Sequence, residues 1–412
     1  MRSFLVLGVA CAAACSIYAQ QVKVPKYGKK LASREVVEYL ASDALAGRDG
    51  GTRGDTLASD FIFGQLKKLG LNPGKQQFNV KKGDISTYNV YGSIPGRSGK
   101  YVVVGAHYDH LGMGGPGTGS RRMDTLAIHN GADDNASGVA GMLYLAKHFA
   151  KGKDLEHGVI FAAFGAEERG IVGSKHFAEN LQELKLSGGK TISAKDVVAM
   201  VNFDMIGNLR SSAITLGGTG TAKEMDEIIA GAEKLYGNAL KVTRSVQGHG
   251  PSDHSAFYAK NIPVFYLTTG ATEDYHTPDD DAHKLNYPGI DSVAAFAALL
   301  VEQVQKYSAG LNFTDTGSPE ATPMRASFKV TLGLMPDVTG QVENGLRADI
   351  VVKGKPAHKA GLKNGDVIVQ INDLVIKNIE EYMKGLATLE KGKIAKVKVL
   401  RDGKEMIFDV QL

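Results

Sequence analysis

The sequence predicts an α/β fold, a three-layer sandwich with a largely parallel central sheet flanked by helices, followed by a small β-rich domain. Three observations carry this expectation. Continuous apolar, β-branched runs alternate with stretches of helical periodicity as far as residue 308. A polar segment rich in Gly, Thr, Pro and Ser, AGLNFTDTGSPEATPM, interrupts the alternation at 309–324. Beyond it, from residue 325 to 412, the apolar runs become short and closely spaced. A strand that is apolar throughout needs cover on both faces, and alternating helices supply it.

The elements follow in order. MRSFLVLGVACAAACSIYAQ opens with Arg2, continues as an apolar stretch and reaches Ala19 through small residues. Residues 1–19 are expected to be a secretory signal peptide, too short to span a bilayer, which places the mature protein in the periplasm or outside the cell. Small residues before Cys11 and Cys15 leave lipid attachment at one of them as the alternative. These are the chain's 2 cysteines, so the mature chain has no thiol chemistry, and a metal site must draw on His, Asp and Glu. No other apolar run is long enough for a transmembrane helix.

Within residues 20–308, SREVVEYLASDALAG, with Ser33 as its cap, and TLASDFIFGQLKKLGL, stopping at Gly70, read as helices. YVVVGAH (101–107) is a central strand and GVAGMLYLAKHFA (138–150) a helix. HGVIFAAFGAEE (157–168) and AMVNFDMIG (199–207) are further strands. The helix EMDEIIAGAEKLYG, the strand IPVFYLTTG (262–270) and the long helix PGIDSVAAFAALLVEQVQKYS complete the unit. After the linker come the strand-like runs ASFKVTLGLM, IVVKG, DVIVQIND, KVKVLRD and EMIFDVQL, with helical pieces PAHKAGL and IEEYMKGLATLE between them. A length of 412 residues suits two domains. The formal net charge of +4, without a long basic run, argues against nucleic acid as a partner.

The chemistry gathers at the strand ends, where ligands bind in such sheets. The first strand ends in His107, Asp109 and His110; Asp133 and Asp134 precede a helix. Glu167 and Glu168 follow the second strand, Asp204 lies near the end of the third, and His276 and Asp279 follow the fourth. Each alone has an ordinary reading: a chance His-x-Asp, a helix cap, an acidic first turn. Asp204 is harder to dismiss, because its context is apolar and an unpaired buried carboxylate is costly. Convergence of five segments on one sheet edge points to a metal hydrolase, and carboxylate plus imidazole without thiolate suits zinc. Asp109 is expected to accept from the far ring nitrogen of His107, as a ligating histidine requires. His110, His129, His249 and His283 are expected to be structural or exposed.

Taken in order, HYDHLG, NGADDNASGVAGMLYLA, FAAFGAEERGIVGS, NFDMIG, SDHSAF with IPVF, and YHTPDD resemble the co-catalytic zinc exopeptidases of the bacterial secreted aminopeptidase type. These are relatives of glutamate carboxypeptidase and the transferrin receptor. The resemblance covers about residues 30–308. It implies two zinc ions bridged by Asp134, with His107 and Asp204 on one, Glu168 and His276 on the other, and Glu167 as general base. Asp253 and His254, in GPSDHSAF, would stand beside the active site and position ligands or substrate. The implied activity is removal of N-terminal residues from peptides, and the choice of terminus rests on the resemblance alone. A glutaminyl cyclase or a carboxypeptidase of the same fold is an alternative, as is a non-catalytic peptide-binding protein. The complete ligand set argues against the cyclase and against the non-catalytic reading.

VTLGLMPDV, VVKGKPAHKAGLKNGDVIVQINDLVIKN and VKVLRDGKEMIFDV resemble a bacterial PDZ domain. That resemblance implies that backbone N–H groups around Leu332, Gly333 and Leu334 receive a peptide C-terminus and that the peptide adds as a strand.

Overall fold

A computed structural model of the chain describes residues 33–80, 85–122, 124–151, 154–317, 330–336, 342 and 344–412. The expected signal peptide, with Cys11 and Cys15, lies outside the described residues, as does the end of the linker.

Helices α1 (Ser33–Leu40) and α2 (Arg53–Lys68) come first. Ser33, expected as a cap, is already helical, and its hydroxyl donates to Asp291 at 2.7 Å. Thr52 caps α2, accepting from the Asp55 N–H. The strands of the first unit are β1 (Gly74–Val80), β2 (Ile85–Ile94), β3 (Tyr101–His107), β4 (Gly158–Phe164), β5 (Val197–Phe203), β6 (Ala213–Gly217), β7 (Lys241–Arg244) and β8 (Val264–Thr268). Between and after them run α3 (Gly138–Phe149), α4 (Val172–Glu179), α5 (Met225–Leu235), α6 (His254–Tyr258) and α7 (Tyr287–Val304).

The strands form one sheet in the order β1-β2-β4-β3-β5-β8-β6-β7. Its centre, β4-β3-β5-β8, is parallel. Antiparallel pairings join β2 to β4 and β6 to β8. Period-2 alternation sends each central strand's side chains into two cores. Val102, Val104 and Ala106 face a large core with α1, α2, α3, α5 and α7. Tyr101 and Val103 face a smaller one with α4 and α6. This is the expected three-layer sandwich. Four strands, β1, β2, β6 and β7, go beyond the expectation. β1 and β7 are edge strands whose polar sequences GKQQFNV and KVTR leave half or more of their residues incompletely buried.

Register decides where the chemistry sits. His107 pairs with Phe164, and Gly105 with Asn202. His107, the turn after β4 and Asp204 therefore meet at one edge of the sheet.

The C-terminal unit holds β9 (Leu334–Pro336), β10 (Leu346–Val351), α8 (Pro356–Ala360), β11 (Val367–Ile371), β12 (Leu374–Val375), α9 (Ile379–Ala387), β13 (Ile394–Arg401) and β14 (Lys404–Gln411). Its antiparallel sheet runs β14-β13-β11-β10-β9, with β12 beside β11. It has a core of its own, including Leu332, Leu346, Ile368, Tyr382 and Val397. Buried Asp366 accepts two bonds from Arg401, at 2.6 and 2.7 Å.

Candidate metal centre

The five expected donors come together. His107 Nε2 lies 3.2 Å from Asp134 Oδ1 and 3.5 Å from Asp204 Oδ1. His276 Nε2 lies 3.1 Å from Asp134 Oδ2 and 3.2 Å from Glu168 Oε2. The two oxygens of Asp134 are thus divided between two donor groups. Donor atoms ~2.0–2.1 Å from a tetrahedral zinc lie roughly 3.3 Å from one another, so these spacings are those of ligands around a shared ion. Asp204 Oδ1 and Glu168 Oε1 are buried without a hydrogen-bond partner. Buried oxygens of this kind need a cation or a donor. The residues present fit a metal centre built from imidazole and carboxylate.

Charge tells the same story. Burial alone would push the His107 pKa down, yet Asp204 and Asp134 hold it well above 6.5. Burial would likewise lower His276, and Glu168 and Asp134 raise it well above the ordinary value. Against the pull of burial, His107 and His276 hold the Asp134 carboxyl well below its usual range. The cluster calls for positive charge, and a divalent ion supplies it without protons.

Local backbone aims the donors. Ala166, just before Glu167, Met205, just after Asp204, and His276 itself have φ of 55°. Non-glycine residues pay about 1–2 kcal/mol for this left-handed conformation, which clusters where side chains must be aimed. Asp133 and Asp134 divide their roles. Asp133 Oδ1 accepts from Gly207 N–H at 2.7 Å and Oδ2 from Asn208 Nδ2 at 2.6 Å, which leaves Asp134 for the centre. Asp280 accepts from the N–H groups of Asp133 and Asp134 at 2.9–3.1 Å, fixing that turn.

His276 Nδ1 lies 3.1 Å from the Gly119 carbonyl, and donation to that carbonyl leaves Nε2 free to ligate. Arg121 steadies the same loop: its N–H donates to the His276 carbonyl at 2.9 Å, and Nη1 to the Glu273 and Tyr275 carbonyls. Asp109 behaves differently from the expectation. His107 Nδ1 is 3.3 Å from the Asp109 main-chain carbonyl and 3.7 Å from its carboxylate. The carboxylate instead accepts from the N–H groups of Glu167 and Glu168, at 2.9 and 3.2 Å, and so orients the glutamate pair. Burial raises its pKa to about 8.

Glu167 lies among these charges, and burial, together with Glu168, Asp253 and Asp204, raises its pKa well above the ordinary value. Asp253, at the start of α6, is fully buried with both carboxylate oxygens unpartnered. His254 stacks on Tyr266, ring centroids 4.4 Å apart.

Sequence reasoning missed two residues here. Arg48 is fully buried and donates to four carbonyls: Tyr108 at 2.7 Å, Leu40 at 2.5 Å, Asn130 at 2.6 Å and Gly131 at 2.9 Å. It pins the loop bearing His107 to the loop bearing Asp134. Its partners are main-chain atoms, so no residue-type pattern announces it. His110, expected to be structural or exposed, is buried at the centre with Nδ1 3.0 Å from Glu168 Oε1. His129 and His283 do match that expectation. His129 is held by Ser120 and the Ala127 carbonyl, and the His283 side chain is 76% exposed.

A family model for peptidase family M28 matches residues 89–301. This chain belongs to peptidase family M28. A PDZ domain model matches residues 331–412, the antiparallel unit. A curated relative, a probable leucine aminopeptidase from Arthroderma otae, is 25% identical over 244 residues, covering 56% of this chain and 61% of its own length. The chain therefore spans under two thirds of that relative. Among solved structures, a zinc aminopeptidase from Bacillus subtilis superposes with a TM-score of 0.53 at 17% identity, covering 65% of this chain and 93% of its own. A glutaminyl cyclase from Porphyromonas gingivalis superposes with a TM-score of 0.56 at 17% identity, covering 66% and 96%. At these identities the structures establish the M28 chain's fold. Arg48 and both N-terminal helices precede the matched M28 segment, although Arg48 helps build its metal centre.

Leu332, Gly333 and Leu334 open the PDZ unit. The Leu332 carbonyl accepts from Ala357 N–H at 2.8 Å and that of Gly333 from Val352 N–H at 3.0 Å. Leu334 pairs with Val351, and β9 is an edge strand among the described residues.

Proposed function

We propose that this chain is a zinc-dependent aminopeptidase that removes N-terminal residues from peptides and holds two zinc ions. The observation that carries the reading is the division of the Asp134 oxygens between the His107/Asp204 group and the His276/Glu168 group. His107, Asp204, Asp134, Glu168 and His276 would hold two zinc ions, which would supply Lewis-acid polarisation of the scissile carbonyl and make water more acidic. Glu167 is the general base: it accepts the proton of the attacking water and passes it to the leaving amine as the C–N bond breaks. Asp109 fixes the main chain of both glutamates, so that Glu168 and Glu167 serve different ends. Asp253 and His254 stand beside the site as positioning residues.

The reading takes residues 1–19 as an export signal, 20–308 as the peptidase, 309–324 as linker and 325–412 as the PDZ domain. Export places the enzyme in the periplasm or outside the cell. No helix among the described residues is long and apolar enough to cross a membrane. The exposed edge of β9 and the Leu332–Leu334 segment would receive a peptide C-terminus.

Native mass spectrometry of the full chain after zinc equilibration tests the centre. Two tightly held ions are expected; one ion would turn the reading toward the cyclase, and none would refute it. Glu167→Gln should keep both ions while turnover of a peptide substrate falls by about 10²–10⁴-fold. Loss of metal in that variant would refute the base assignment.

A further inference from the structure

We propose that His110 is a ligand of the second metal position, joining His276, Glu168 and Asp134 through Nδ1. The inference rests on the two-ion reading above and divides its two positions into unequal sites.

Three features of the structure carry it. The His110 ring is fully buried, and neither ring nitrogen has a hydrogen-bond partner. A buried imidazole ordinarily satisfies at least one nitrogen. Second, Nδ1 lies 3.0 Å from Glu168 Oε1 and 3.9 Å from Asp134 Oδ2, and Glu168 Oε1 is itself unpartnered. Two unpartnered donors at ligand–ligand spacing are what an ion between them leaves. Third, the ring is seated rather than loose. A Cβ at Gly131 would come within 2.5 Å of His110 Cδ2, so only glycine at 131 leaves room for it. Its other ring neighbour in the centre is His276, with centroids 5.7 Å apart and planes at 73°.

The consequence is an asymmetric pair. The first position has His107, Asp134 and Asp204, three protein donors. The second has His276, His110, Glu168 and Asp134, four protein donors. A position closed by four protein ligands behaves as a structural site, whereas one with three keeps an open place for chemistry. The His110 side is therefore the anchor, filled first and emptied last. The His107 side, held by three protein donors, is the exchangeable one. Both suit a borderline divalent cation such as zinc or cobalt.

The test uses the full chain, stripped of metal and reloaded with cobalt(II). Proton NMR counts the solvent-exchangeable, paramagnetically shifted ring N–H signals. Three signals, from His107, His110 and His276, are expected; two would overturn the assignment without any variant being made. In parallel, wild type and His110→Asn are titrated with zinc under chelator competition and followed by native mass spectrometry. Wild type should bind in two unequal steps. The variant should lose at least about a hundredfold in the tighter step and keep the weaker one. Equal affinities in variant and wild type would overturn the proposal. A wild-type chain that holds a single ion would refute the two-ion reading. Loss of that ion in His110→Asn would then still support His110 as a ligand, and its retention would not. Far-UV circular dichroism of the metal-free proteins separates loss of metal from loss of fold.

Discussion

Replacing Arg48 by Met removes the guanidinium while keeping much of the side chain's volume. Four carbonyls lose their donor. Hydrogen bonds to a charged group contribute about 1.5–3 kcal/mol each. The low end applies, since Nη1 serves both Leu40 and Asn130 and the latter contact is only partly buried. The gross loss is then about 6 kcal/mol. Against it stands the cost of burying the cation, which lowers its pKa from 12.5 to about 10, roughly 3 kcal/mol at ~1.4 kcal/mol per unit. The expected net destabilisation is about 3 kcal/mol. The chain has no tryptophan, so urea unfolding is best followed by far-UV circular dichroism in the helical band. The midpoint should fall by about 1 M at unchanged slope. The loss should grow after chelation, because the charges of Asp134 and Glu168 are then no longer offset by metal and bear more heavily on Arg48. A loss under about 1 kcal/mol, equal with and without metal, would refute the view that one cation holds the two loops together.

Asp280→Ala frees the N–H groups of Asp133 and Asp134 and should weaken zinc binding by about 10–100-fold with little change in secondary structure; chelator competition reads it, and unchanged affinity would refute the role. Gly47 has a φ of 74°, and a Cβ there would come within 2.4 Å of the Gly112 carbonyl oxygen. Gly47→Ala should therefore cost more than about 2 kcal/mol in urea unfolding. Burial, then the neighbouring His249 charge, depress the His254 pKa to about 3. The unfolded chain takes up that proton near pH 6.5, so stability falls as pH drops from about 6.5 toward 3, by up to ~1.4 kcal/mol per unit. Between pH 6.5 and 5, wild type should lose about 1.6 kcal/mol more than His254→Gln; parallel losses would show that His254 does not titrate this way.

The centre was legible in the sequence because it is made of residue types. His107, Asp134, Glu168, Asp204 and His276 are polar groups set at the ends of apolar runs, and burying such groups is costly enough to demand a shared reason. What supports them was less legible, because main-chain atoms do much of the work. Arg48 bonds only to carbonyls, and Asp280 reaches back across 146 and 147 residues to two N–H groups. His110 sits three positions from a ligand and carries no pattern of its own. The central strands β3, β4, β5 and β8 announced themselves through uninterrupted apolar runs. The edge strand β1 did not, because Gln77 and Asn79 face solvent and Gln76 is buried on hydrogen bonds rather than on apolar contact. Ser33 shows the limit of cap signals: the residue type was right for a helix start, but its hydroxyl found Asp291, 258 residues away.

The reach of Arg48 also sets a timetable. Its bonds close spans of 60, 82 and 83 residues to Tyr108, Asn130 and Gly131. Contacts of such sequence separation form late, after the entropy of closing the intervening chain has been overcome. Before that, the donors from His107 to His276 are strung along the chain with no common point to hold an ion. A precursor kept unfolded for passage through a membrane would carry its metal ligands without carrying metal. Such an enzyme would take its ions from the compartment in which it folds, and that compartment's supply would decide which ions they are.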